Sequence, residues 1–94
     1  MPNISVDASD ELVIDPDMMT VNRGNPVQWT PEGGTVFRVA FKGLSPLDKA
    51  VIANSTAYQV RADASPGRYE YRVTFVKNDK LYSDDSSPAI IVEL

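Results

Sequence analysis

The side chains of this chain that could take part in catalysis are carboxylates, and two pairs of them lie close together in the sequence. Asp15 and Asp17 flank a proline, and Asp84 and Asp85 are adjacent. Two carboxyl groups held near each other can act as a general acid and a general base. All four lie in turn-like segments, where aspartate is favoured because its side chain hydrogen-bonds the local backbone. We therefore predict no catalytic residue at either pair.

The chain contains no histidine and no cysteine. Without an imidazole, a Ser-His-Asp or Cys-His arrangement has no base, and without a thiol there is no disulfide, thiolate nucleophile or thiolate metal site. A β-sandwich of 94 residues also offers little room for a cleft. These absences predict a protein that is not an enzyme and has neither catalytic nor cofactor-binding residues.

Calcium is the ligand that best suits the remaining acidic clusters, because it takes carboxylate and carbonyl oxygens. Asp7, Asp10 and Glu11 form one cluster, and Asp15 with Asp17 forms another. Neither cluster has the spacing of an EF-hand loop. We therefore predict solvated loops and no metal-binding residue, with a calcium-binding module as the alternative.

A carbohydrate site is the other ligand-binding alternative, and it requires exposed aromatic rings. Tyr58 and Tyr82 would serve if they face outward, which the sequence leaves open. The glycines at Gly24 and at 33–34 are too isolated to cradle a phosphate, so we interpret them as turns.

Length and charge limit the partners. The 94 residues, 43% of them hydrophobic, predict a single domain spanning 1–94. The net charge of −4 and the scattered basic residues argue against nucleic acid and anionic membranes, both of which require a basic surface. No apolar run reaches the ~18–20 residues of a membrane span. The first residues lack the pattern of a secretion signal, which favours the cytoplasm unless a leader has been replaced by Met1.

Short β-strand signals recur along the chain, separated by Gly, Pro, Asn and Asp, as in an all-β sandwich or barrel. Two strands show strong alternation, with Phe37, Val39 and Phe41 on one face of the strand 35–41 and every second residue from Tyr69 to Phe75 on one face of the strand 68–77. Further strands are predicted at 4–6, 12–14, 18–21, 27–30, 57–61, 81–82 and 89–94, with a hairpin turn at 77–80 and an exposed linker at 83–88.

The segment 42–54 is ambiguous. Ser45 could cap a short helix that has Pro46 in its first turn and Asp48 near the positive end of its dipole. Such a helix would extend over a turn or two at most.

Two stretches resemble segments of cupredoxins. The Gly24 turn followed by Val27-Gln28-Trp29 is similar to the glycine turn and Val-x-Trp strand of that family, and Gly67-Arg68-Tyr69-Glu70-Tyr71-Arg72-Val73 is similar to the strand that leads into the copper loop. Val73 stands where the family has its copper-binding cysteine, and the chain has no histidine for a His₂Cys site. The resemblance therefore implies a cupredoxin-like domain that lacks the copper ligands.

A competing resemblance is to immunoglobulin-like and fibronectin type III-like sandwiches. Asp63 followed by Gly67-x-Tyr69 is similar to the tyrosine corner, in which a tyrosine hydroxyl near the start of a strand bonds back to upstream backbone. In that family Trp29 would be the core tryptophan.

Both resemblances imply the same architecture, an antiparallel Greek-key β-sandwich of about seven strands, cupredoxin-like or immunoglobulin-like. We expect a non-enzymatic interaction or structural module without a cofactor, which binds another protein through a loop end or a sheet edge. The partner's identity, the oligomeric state, the strand order and whether the chain is a whole protein stay open.

Overall fold

A computed structural model of the chain describes residues 2–34, 36–83 and 88–93, and these residues are all-β with no α-helix among them. Within these described ranges, eleven strands are joined by turns and by one short 3-10 helix at Glu32–Gly34. The strands are β1 Asn3–Val6, β2 Leu12–Asp15, β3 Met18–Asn22, β4 Pro26–Val27, β5 Thr30–Pro31, β6 Phe37–Phe41, β7 Val51–Ile52, β8 Tyr58–Gln59, β9 Gly67–Lys77, β10 Lys80–Ser83 and β11 Ala89–Glu93. None of these residues forms a helix with the length and apolar character needed to cross a bilayer.

The strands form three sheets. The largest has the order β3-β11-β9-β6-β7, with β10 also paired to β9. A three-stranded sheet has the order β2-β1-β5, and β4 pairs with β8 in a two-stranded sheet. Among the described strands, two pairs are parallel, β1 with β5 and β3 with β11, so two of the three sheets are mixed. The prediction of purely antiparallel sheets is wrong in this respect.

The break predicted at Asp15-Pro16-Asp17 is confirmed and separates two sheets. Strand β2 ends at Asp15 and pairs with β1, whereas β3 begins at Met18 and pairs with β11. The Asp15–Pro16 peptide bond is cis. Because proline has no N–H to give to a ladder, the chain leaves one sheet here and enters the other.

Strand β9 is the centre of the largest sheet. Its residues Tyr69, Tyr71, Val73 and Phe75 lie on the core side, and the last three are almost fully buried, as the alternation predicted. One edge of β9 pairs with β6, and the other edge pairs with β11 near its start and with β10 near its end. This strand therefore holds three neighbours in register.

The predicted hairpin after β9 is confirmed. Lys77 pairs with Lys80, and the two residues between them have positive φ, 52° at Asn78 and 62° at Asp79. Two successive positive φ values are typical of the type I′ turn, whose twist matches that of the flanking strands. The turn at 22–25 is also confirmed, with Gly24 at φ 82°.

The core is one cluster of side chains drawn from all three sheets. Trp29, fully buried between β4 and β5, makes edge-on ring contacts with Tyr71 at 5.4 Å and with Phe41 at 6.4 Å between ring centroids. The Ser55 hydroxyl donates to the Trp29 carbonyl at 2.8 Å, so this carbonyl between the two short strands has a hydrogen-bond partner. The indole N–H has no acceptor among the described residues, so burial of the ring must offset that loss.

The segment 42–54 forms a turn and the short strand β7, and no helix. The Ser45 hydroxyl accepts a hydrogen bond from the Leu47 N–H and donates to the Lys49 carbonyl, so it closes a local turn. Leu47 is buried and bridges to Val60, which pulls the segment into an extended path. Tertiary contact here overrides the local capping signal.

Other boundaries differ slightly from the predicted ones. Strand β6 begins at Phe37, and β11 ends at Glu93, while the predicted ends at Thr35 and Leu94 lie outside the described residues. In the linker predicted to be exposed, Ser83 belongs to β10, Pro88 is buried, and 84–87 lie outside the described residues.

The bond expected of a tyrosine corner is present. The Tyr69 hydroxyl donates to the Ser65 carbonyl at 2.6 Å, four residues upstream. The bond ties the start of β9 to the preceding loop, which also holds the buried Ala64.

Truncating the central indole should destabilise the fold strongly. We expect Trp29→Ala to lower the free energy of unfolding by about 3–5 kcal/mol, because it leaves a large cavity against Tyr71 and Phe41. Urea denaturation followed by circular dichroism measures the change. The exposed Leu81→Ala is the matched control and should stay within about 0.5 kcal/mol. A loss below about 1 kcal/mol for Trp29→Ala would contradict the packing described here.

Removing the hydroxyl at the start of β9 should have a smaller effect. We expect Tyr69→Phe to cost about 0.5–1.5 kcal/mol of unfolding free energy, the net worth of one intramolecular hydrogen bond. Tyr58→Phe is the control, because the Tyr58 hydroxyl makes no hydrogen bond with any described residue. Equal effects of the two substitutions in the same denaturation assay would show that the bond to Ser65 does not stabilise the fold.

Candidate functional site

The first acidic cluster forms a turn between β1 and β2. The Asp7 carboxylate accepts hydrogen bonds from the backbone N–H groups of Ser9 at 2.9 Å and Glu11 at 3.0 Å. Asp10 adopts a positive φ of 64°, which aspartate tolerates better than most residues. The Asp7 side chain is therefore used to close the loop through local hydrogen bonds.

Asp10 links this loop to the β9–β10 hairpin. Its carboxylate accepts hydrogen bonds from the Lys80 ammonium and, at 2.6 Å, from the Tyr82 hydroxyl. The Lys80 ammonium also lies 5.0 Å from the centre of the Tyr82 ring. The bonds from Lys80 and then Tyr82 lower the pKa of Asp10, while the same carboxylate raises the pKa of both Lys80 and Tyr82.

A second polar bridge, formed by Glu32, also reaches the β9–β10 hairpin. The Glu32 carboxylate accepts a hydrogen bond from the Val6 N–H at 3.1 Å and pairs with the Lys77 ammonium at 3.1 Å. The backbone bond, and then the bond from Lys77, lower the pKa of Glu32. Like Asp10, this carboxylate is engaged in holding strands together.

The described residues contain no group of three or more acidic side chains arranged to hold a metal ion. Asp15 and Asp17 are exposed on either side of Pro16, and the Asp17 carbonyl accepts a hydrogen bond from the Ala89 N–H at 2.9 Å. The other predicted pair, Asp84 with Asp85, lies outside the described residues.

Neither tyrosine considered for carbohydrate binding presents an open ring. Tyr58 and Tyr82 are both half-buried and pack against the core. Tyr82 also contacts Phe75 at 6.4 Å between ring centroids. All the other aromatic side chains of the chain are buried or half-buried too, so the chain has no exposed aromatic platform for a sugar.

The most distinctive surface is the side of the largest sheet that faces away from the core, which we call the outer face. Because β9 buries every second residue from Tyr69 to Phe75, the residues between them lie on the outer face. Residues paired across the ladder share a face, so the register assigns the neighbouring strands as well. From the end of β9 toward its start, the outer positions of β9 are Val76, Thr74, Arg72, Glu70 and Arg68.

One end of the outer face is an apolar row. The Val76 N–H donates to the Val36 carbonyl, and Val76 pairs with Leu81 on the other side. Val36 is 73% exposed and Leu81 is 64% exposed. Two exposed aliphatic side chains thus flank the half-buried Val76 on neighbouring chain segments.

Two arginines occupy the next two rows. Arg38 lies opposite Thr74, and Arg72 lies opposite Ala40, which in turn pairs with the exposed Val51. Both arginines are exposed, and neither makes a hydrogen bond or ion pair with a described residue. Shallow depressions of about 260 Å³ beside Arg38 and about 380 Å³ beside Arg72 mark the surface here.

The far end of the outer face mixes charge with apolar surface. Lys42 lies opposite Glu70, since its N–H donates to the Glu70 carbonyl at 3.0 Å, and Glu70 pairs with Arg68 at 3.5 Å. A depression of about 390 Å³ joins these residues to Leu44, which is 83% exposed. Met18 on β3 completes this end and contacts the Arg68 guanidinium through its sulfur.

All the large hydrophobic residues that are exposed in the described part of the chain lie on this face or at its rim. They are Met18, Val36, Leu44, Val51 and Leu81. The alternation of β6 and β9 identifies Arg38 and Arg72 as outward residues from sequence alone, but no motif distinguishes them from the other outward residues. Which strands lie beside them could not be deduced without the pairing.

Comparison with protein-family models, with curated proteins and with solved structures finds no match to this chain. The outer face is therefore the feature from which a function can be argued.

The bond network of Asp10 should give the stability of the fold a pH dependence. A carboxyl group with a lowered pKa in the folded state stabilises the fold above its unfolded pKa, and the contribution is lost as pH falls through the folded pKa. We expect Asp10→Asn to reduce stability at neutral pH, with the difference from the parent protein shrinking as pH falls below the ordinary range of a carboxyl. Urea denaturation across the acidic pH range measures this difference.

Asp48→Asn, at an exposed carboxylate of the 42–54 segment, is the control and should show no such trend. A pH-independent difference between Asp10→Asn and the parent protein would show that hydrogen bonding, and not the charge of Asp10, ties the loop to the hairpin.

Proposed function

We propose that this protein is a non-enzymatic interaction module that binds another protein through the outer face of its largest sheet. The observation that carries the proposal is the clustering of the exposed large hydrophobic side chains on that one face. Single exposed apolar residues are ordinary on a protein surface, but a set of them confined to one sheet face is typical of an interaction site.

The composition of the outer face fits a protein partner. Interface centres are enriched in arginine, methionine and aromatic side chains and depleted of lysine and acidic residues. Arg38, Arg72 and Met18 lie among aliphatic residues, and Glu70 and Glu93 are the acidic side chains that the described register assigns to this face. Contact on the face replaces the loop end or sheet edge that we expected from sequence, because the exposed apolar surface lies there.

A catalytic role has little support. The depressions on the outer face are shallow, and the chain has no histidine or cysteine. The carboxylates with shifted pKa values, Asp10 and Glu32, are used in bonds between strands. The described residues provide no observation in favour of the two alternatives, calcium binding and carbohydrate binding.

We also propose the architecture of an immunoglobulin-like Greek-key β-sandwich of about seven strands, with breaks that divide the longer strands into segments. The bond from the Tyr69 hydroxyl to the Ser65 carbonyl supports it, because a tyrosine near the start of a strand that bonds back to upstream backbone is a hallmark of such domains. The single core between sheets also supports it.

Site-specific photo-crosslinking tests the proposed function. Val51 and Leu81 are replaced, one at a time, by p-benzoylphenylalanine, and the protein is irradiated in the cells in which it naturally occurs. We expect discrete protein adducts from both positions, because a bound partner would lie against these side chains. Denaturing gels and mass spectrometry identify the adducts.

Gln59 is the matched control, since it is exposed on β8 in a different sheet. Adducts of the same protein from position 59, or no adducts from positions 51 and 81, would overturn the proposal. A circular dichroism spectrum and a thermal melt of each variant establish that the substitution has not unfolded the protein.

A further inference from the structure

Two arginines of the outer face, neither of which has a partner among the described residues, occupy neighbouring positions. Arg38 on β6 and Arg72 on β9 occupy diagonal positions of one antiparallel ladder, since Arg38 pairs with Thr74 and Arg72 with Ala40. Diagonal neighbours on one face are about 7–8 Å apart, within reach of long side chains. Two positive charges at such positions repel each other, and a negative charge between them would offset the repulsion.

The structure supplies no such counter-charge among its described residues. Glu70, the acidic residue two positions from Arg72 on the same face, is paired with Arg68. The chain as a whole carries a net charge of −4, so this concentration of positive charge stands out against an acidic molecule. Charge complementarity therefore calls for an anionic group in the partner.

Carboxylates are the anionic groups of proteins, and guanidinium binds them through two parallel hydrogen bonds. The rows of the outer face have a regular spacing along β9. The apolar row at Val76, the row of Arg38 and Thr74, and the row of Arg72 follow one another at two-residue steps, about 6.6–6.8 Å each. An extended segment has the same two-residue spacing between side chains on one of its faces.

We propose that the outer face binds an extended acidic segment of a partner protein, in which an apolar residue is followed at two-residue spacing by two carboxylates. The apolar side chain packs on Val36, Val76 and Leu81. The two carboxylates pair with Arg38 and Arg72. This inference rests on the proposed function and specifies the chemistry of its partner.

Two other anionic partners, nucleic acid and a lipid surface, agree less well with the molecule. Both present dense negative charge over a wide area, which an acidic chain repels except at this small patch. A phosphate backbone also offers no apolar surface for contact with the apolar row beside the arginines. Both are therefore included as competitors in the test.

The test uses a short synthetic peptide in which one leucine and then two glutamates are spaced by serines. Titration into the isotopically labelled protein is followed by NMR chemical-shift changes of backbone amides. We expect saturable shifts confined to β6, β9 and β10, and affinity that weakens as salt is raised because the contact includes exposed charges. A peptide of the same composition with adjacent glutamates at one end should bind less tightly.

Substitutions on the protein identify the residues responsible. Arg38→Glu and Arg72→Glu should each weaken binding by about tenfold or more, since each replaces a charge-assisted pair with a repulsion. Lys49→Glu makes the same change of charge at an exposed position before β7, outside the paired residues of the sheet, and should leave affinity nearly unchanged. Arg38→Gln and Arg72→Gln keep the length of a long polar side chain and should weaken binding in the same direction.

Several results would overturn the inference. They are the absence of peptide binding, equal weakening by Lys49→Glu, equal affinity for a lysine-containing version of the peptide, and tighter binding of a single-stranded oligonucleotide or of phosphatidylserine vesicles through the same arginines. If photo-crosslinking from positions 51 and 81 finds a protein partner but the acidic peptide fails to bind, only the chemistry of the partner is wrong. If both fail, the outer face is not an interaction site.

Discussion

The structure depends on strand β9, which must bury one side in the core and leave the other in water. Tyr71, Val73 and Phe75 are almost completely removed from solvent on one side, and Arg72 and Thr74 lie between them on the other. Burial of large apolar and aromatic side chains is the main source of stability in a domain of this size. A shift of the register by one residue would exchange the two sides, so the pairing with β6, β10 and β11 is strongly specified.

The core constraint also accounts for the surroundings of Trp29. The ring packs edge-on against Tyr71 of β9 and Phe41 of β6, so the two strands and the segment between β4 and β5 hold one another in place. Polar bonds complete the enclosure at the periphery. The Tyr69 hydroxyl ties the start of β9 to its preceding loop, and Asp10 ties the first hairpin to Lys80 and Tyr82 in the last one.

The outer face is the side of the largest sheet that does not contribute to the core. Its side chains have no role in the core, yet they include exposed aliphatic residues beside two arginines that have no partner among the described residues. A surface that served only to keep the protein in solution would gain from interspersed charges of both signs and few large apolar side chains. The combination on this face is the basis for the proposed partner, which would be both apolar and acidic.

The features of the fold that could be predicted from the sequence are those determined by residues close together in the chain. The alternation in 37–41 and 69–75, the break at Pro16, the Asn78-Asp79 turn and the use of Asp7 in a turn all depend on residues close in sequence, and the structure agrees with them. The short helix considered near Ser45 did not form, because Leu47 is buried against Val60 from a distant part of the chain.

The sequence by itself determined an all-β protein without imidazole or thiol chemistry, since composition and alternation are properties of the chain alone. Only the tertiary structure decided which strands are neighbours, that two pairs are parallel, and that Arg38 and Arg72 lie side by side with Val36, Val51 and Leu81, because pairing between distant strands is set by the burial of the whole core.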